Sequence, residues 1–117
     1  MFHKLLLIIL LLVSTPDIKG IDSSRLRYGS IENYQEGQVV MVVNSKEIYK
    51  RIPDYQTIIR ENIKKGSARH TQLMLSATRL YKGALGKAGI PLIVEFDGVD
   101  KKLHKTEDVT KKIISLL

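Results

Sequence analysis

Cysteine is absent from the 117-residue sequence, and that one absence removes several classes of protein at once. A secreted mini-domain stapled by disulfides, a thiolate zinc site, a thiol nucleophile and a lipid-modified cysteine all need a residue the chain lacks. Histidine is scarce, with three in all. His3 lies in the apolar N-terminal segment, and His70 and His104 have no partner at metal-ligand spacing. No glycine-rich phosphate loop follows a strand. Gly83-Ala84-Leu85-Gly86 resembles a fragment of one, but it falls inside an amphipathic helical stretch. Asp97, Asp100, Glu107 and Asp108 lack the glycine and closing glutamate of a calcium loop, and Lys101, Lys102 and Lys105 intervene. Turn and N-cap roles explain these acids. No catalytic, cofactor or metal residue is expected, and no enzyme activity.

Long apolar runs are missing too, with one exception. Residues 5–13 form an unbroken run of nine apolar residues behind Lys4. That is too short to span a bilayer as a helix and suits the core of an export leader. A helix apolar on every side would otherwise need a large surrounding core, which a chain this short cannot build. Export is therefore expected, with residues 1–20 as signal peptide and Gly20 as the last residue removed. Ser14 and Thr15 are other candidates for the junction, because Ile18 is not the small residue usually wanted two positions before a cut. Loss of residues 1–20 takes away Lys4, Asp17 and Lys19, which lowers the net charge from +7 to +6. The remainder is marginal for a monomer held by an apolar core alone, so oligomerisation is expected.

What is present has an order. Residues 21–37 are polar, with Gly29 and Gly37 and no sustained period, and read as a flexible mature N-terminus. Residues 39–43 are a β-branched run that suits a buried strand. Asn44 with Glu47 three positions on is a helix N-cap signature. Pro53 forces a kink or restart near Ile52. A second helical stretch over 68–88 has Leu73, Ala77, Leu80, Ala84 and Ala88 along one stripe, and Gly89 with Pro91 ends it. Residues 92–96 form a second strand, Asp97-Gly98 a turn, Val99 a short return, and a last helix begins near Asp108 with Val109, Ile113 and Leu116 on one face. The class is α+β and mainly helical: a small β body, a helical hairpin (45–89) inserted between two strands, and a short C-terminal helix, all in one domain over 38–117.

Lys64, Lys65 and Arg69 gather where the two helical arms meet, with His70 adjacent. An ordinary solvated turn explains them; so does attraction to anionic partners such as membrane headgroups or acidic polymers. Nucleic acid is not expected, because aromatic residues do not interleave with the basic ones.

Val42-Val43-Asn44, followed by a helix with Ile48, Ile52 and Pro53, resembles the opening of the Skp/OmpH-like periplasmic chaperones. Leu92-Ile93-Val94-Glu95 is similar to the family's "DLVVD" strand, and Asp108-Val109-Thr110 to its "D-[IV]-T" helix start, followed by Ile113 and Leu116. Residues 77–88 are similar to its returning helix. The resemblance spans about 38–117. It implies a periplasmic homotrimer whose strands form a small body and whose helical hairpins project as coiled-coil arms. Such proteins hold unfolded outer-membrane proteins without ATP or any cofactor. One departure stands out: 45–89 leaves far less chain for both arms than the family has. On this reading Tyr55, Ile59, Leu73, Leu80 and Tyr81 are candidate client contacts, with packing between the arms as the plain alternative. A secreted basic protein acting as a monomer on anionic surfaces is the second hypothesis. An enzyme with a pocket around Glu95, Asp97 or His104 is the third.

Overall fold

The computed structural model describes residues 17–117. The apolar run at 5–13, and with it the leader reading, lies outside the described residues. A four-stranded mixed sheet forms the centre, with β1 (Leu26–Gly29), β2 (Val40–Val43), β3 (Leu92–Glu95) and β4 (Thr106–Asp108) in the order β1-β3-β2-β4. β2 runs parallel to both β3 and β4, and β1 is antiparallel to β3. The expected α+β class, with a helical excursion between two strands and a short final helix, is what the chain adopts.

Strand alternation splits the apolar residues between two cores. Val43 and Ile93 face the helices, in a cluster with Ile48, Ile52, Ala77, Tyr81, Ala84, Leu85, Val109 and Ile113. Val40, Val42, Leu92 and Val94 face the other way, onto Ile21, Ile31 and Val99. Both faces of the central strands are covered, which is why 40–43 and 92–94 read as continuous apolar runs rather than alternating ones.

The helical layer begins with α1 (Ser45–Tyr49), capped by the Asn44 side chain, which accepts from the Glu47 N–H at 3.4 Å. α2 (Pro53–Arg60) restarts with proline in its first turn after an extended Ile52. α3 (Ala68–Lys87) is capped by Ser67, and α4 (Thr110–Ser115) closes the chain. The second half of α3 lies on the sheet layer through Ala77, Tyr81, Ala84 and Leu85. Its first half has no fully buried residue and carries α2, so the two form a projecting stub. Nine helical residues, 68–76, extend about 13 Å. Among the described residues no long coiled-coil arms are formed.

Three local expectations are corrected. Residues 21–37 are not irregular throughout. They supply β1, two 3-10 turns and the core residues Ile21 and Ile31. The strand was hidden because only Leu26, Arg27 and Tyr28 alternate before Gly29, and its stability comes from pairing with β3. Within the stretch expected as leader, Ile18 packs against the second core, and the Lys19 and Gly20 carbonyls accept from His104 Nε2 and the Asp100 N–H. Val99 does not begin a return strand: it makes an isolated bridge with Ile21, and the chain crosses to form β4 beside β2. The buried stripe of α3 is also rotated. Tyr81 is in it and Leu80 is out, because the helix packs on a sheet and on α4 rather than along one partner helix.

Candidate functional site

The carboxyl ends of β2 and β3 lie side by side, and their onward connections leave on opposite faces of the sheet. In open α/β sheets such a point is where ligands are bound. Here it holds a polar cluster. Glu95, last residue of β3, is 3 % exposed. Its Oε1 accepts from Arg27 Nε at 2.7 Å and from the Ser45 hydroxyl, and its Oε2 accepts from the Ser45 backbone N–H at 2.9 Å. Ser45 opens α1, so its N–H is one of the donors a helix start leaves free, and Glu95 satisfies it.

Arg27 reaches Glu95 because β1 is bulged. Leu26 pairs with Val94 and Tyr28 with Ile93, which leaves Arg27 as the extra residue. A bulge of this kind re-aims one side chain out of the regular alternation. The fourth member comes from α3: the Tyr81 hydroxyl lies 2.6 Å from Ser45 Oγ. Because the serine proton goes to the carboxylate, Tyr81 donates to the serine. Burial pushes the Tyr81 phenol up to about 12; the bond with Ser45 acts against this, and the nearby Glu95 charge adds to it. The Tyr81 ring meets Tyr49 edge to face, with centroids 5.3 Å apart, and Tyr49 meets Tyr55 and bonds Thr78. The surface recesses beside His104, Asp97, Tyr28 and Leu80 are lined without Glu95, Ser45 or Tyr81. The cluster is a tie: one carboxylate joins β1, β3, α1 and, through Ser45, α3.

Of the five residues expected to meet a client, the structure leaves two on the surface. Ile59 is 64 % exposed and Leu80 40 %. Tyr55 and Leu73 are half-buried, and Tyr55 packs against the helix-facing core and the Tyr49 ring. Tyr81 is in the core and is not a surface contact. Leu75, not singled out from the sequence, is 54 % exposed. It falls outside the repeating apolar stripe, and that mismatch was the signal available for it. Leu75 and Leu80 are five residues apart, about 140° around the helix, so the exposed apolar groups are distributed and do not form one patch. Leu80 borders a shallow groove with Ile52, Pro53, Ser76 and Arg79.

The basic cluster divides in two. Arg69 is tied to Glu61 at 3.0 Å, and Arg60 approaches the same carboxylate at 3.8 Å. Lys64 and Lys65 are exposed in the turn between α2 and α3 and form no ion pair among the described residues.

The two other positions named for a pocket are occupied by local bonding. Asp97 pairs with Arg25 at 2.5 Å, and this contact raises the arginine's pKa. His104 borders an open recess with Tyr34, Glu36 and Lys105, and both its ring nitrogens have partners. Among the described residues no group of three or more acids and histidines is placed to hold a metal ion, and no helix is long and apolar enough to cross a membrane.

No family model, no curated protein and no solved structure matches this chain.

Proposed function

We propose that the chain is an exported, ATP-independent binding protein of the holdase kind, acting in the periplasm on unfolded outer-membrane and other envelope proteins, as a homotrimer. The observation that carries the reading is the helical hairpin, where Ile59 and Leu75 on the stub and Leu80 beyond it stand uncovered among Arg60, Lys64, Lys65 and Arg79. Half-covering a leucine or isoleucine side chain is worth about 1 kcal/mol. Single contacts of that size release readily without a nucleotide. Three stubs acting on one chain would multiply them into useful avidity. A stub of about 13 Å suits short client segments better than a whole enclosed barrel protein. The sequence resemblance to Skp/OmpH-like chaperones over 38–117 points the same way.

The test is dilution of a urea-unfolded outer-membrane β-barrel protein into buffer with the mature chain and no ATP, followed by light scattering. Suppressed aggregation is expected, and Ile59→Ser/Leu75→Ser/Leu80→Ser should weaken it several-fold while moving the Tm little, since all three side chains are exposed. A wild-type chain that leaves aggregation unchanged would count against the reading.

Lys64 and Lys65 favour a second reading, a small basic protein on anionic surfaces. It requires binding to anionic vesicles that falls steeply with salt and is lost in Lys64→Ala/Lys65→Ala.

A further inference from the structure

We infer that export processing cuts ahead of Ile18 and that residues 18–21 belong to the mature fold. The inference rests on the export reading above. Residues 18–21 form a β-turn in which the Ile21 N–H donates to the Ile18 carbonyl at 3.0 Å. Gly20, third in the turn, has φ +84°, the value that a type II turn needs at that position and that glycine supplies without strain. A Cβ there would lie 3.0 Å from both His104 Cδ2 and Leu103 Cδ1.

The turn is held from outside as well. His104 Nε2 donates to the Lys19 carbonyl at 2.7 Å, and the Asp100 N–H donates to the Gly20 carbonyl at 2.7 Å. A carbonyl only accepts, so Nε2 carries a ring proton, and Nδ1 lies 3.2 Å from the Tyr34 hydroxyl. The Asp22 N–H donates to the Gly98 carbonyl at 2.8 Å. Ile21 is 7 % exposed within the second core, and Ile18 packs against that core.

A cut after Gly20 would remove both accepting carbonyls. It would also place a full positive charge on the nitrogen of Ile21, whose side chain is buried in an apolar cluster, an unfavourable position for an unpaired ion. In the sequence, Gly20 answers a leader peptidase's need for a small residue before the cut. In the fold it answers a turn's need for positive φ.

The test uses the full-length chain with a C-terminal tag, expressed in a bacterium with an outer membrane, and the intact mass of the protein in each fraction. A periplasmic chain shortened at its N-terminus and beginning at Ile18 or earlier is expected. A periplasmic chain beginning at Lys19 or later overturns the inference and leaves export standing. An uncleaved chain overturns it in any fraction and, if confined to the cytoplasm, removes the export reading too. Gly20→Val provides a second readout, taken in a short pulse before folding affects survival. Valine blocks a cut after residue 20 but not one ahead of Ile18, so processing should continue at the wild-type rate. Accumulated precursor would overturn the inference.

Discussion

Glu95 sits at the end of a strand whose other residues are all buried and apolar, and its cost of burial is met by three donors. Breaking such an arrangement from one side is worse than never having built it. Arg27→Ala should therefore lower stability by about 3 kcal/mol. Glu95→Gln, which keeps the shape and surrenders the charge, should lower it by about 1–2 kcal/mol; urea unfolding checks both. Tyr81 sets a pH dependence. A tyrosine in the unfolded chain ionises near 10, whereas buried Tyr81 keeps its proton to about 12. Between those values unfolding releases a proton, so stability falls as pH rises through the window. Tyr81→Phe should be about 1 kcal/mol less stable at neutral pH and should decline less steeply from pH 10 to 12. Lysine titrations are common to both proteins and cancel in the comparison. An identical alkaline slope in the two would contradict the assignment. Little of this cluster was legible in the sequence. Glu95 stood out as an acid ending an apolar run, but its partners Arg27, Ser45 and Tyr81 lie 68, 50 and 14 positions away, and a bulge that redirects Arg27 leaves no local pattern.

The elements were more legible than the site. The Asn44 and Ser67 caps, the restart at Pro53 and the stop at Gly89 depend on neighbouring residues only, and the chain forms its helices between those marks. β1 and β4 were missed because four and three residues carry too little alternation to be read without their partners. β1 also depends on a close approach. Gly29 has φ +81°, and a Cβ there would sit 1.9 Å from the Pro91 carbonyl oxygen. The rotation of α3 has a direct check. Leu85 is 2 % exposed and Leu80 40 %. Leu85→Ala should cost about 2–4 kcal/mol and Leu80→Ala within about 0.5 kcal/mol. Denaturation midpoints in the reverse order would restore the stripe expected from the spacing.

For the whole molecule, the two readings of function separate on assembly and charge. Light scattering at low and moderate salt should give a salt-resistant trimer if the holdase reading holds. A monomer would remove the avidity on which weak contacts depend and move the anionic-surface reading to first place. The missing cysteine allows a more direct measurement, since any introduced thiol is the sole one in the chain. Leu75→Cys, Ile59→Cys and, as control, Leu103→Cys would each carry a photoreactive label. Leu103 is also apolar and 51 % exposed, but it lies on the β3–β4 connection, away from the hairpin. Each protein would be mixed with an unfolded outer-membrane protein and irradiated. Cross-links from positions 59 and 75 with none from 103 are expected. Equal cross-linking from all three, or none from the hairpin, would contradict the claim that the stub is the binding surface.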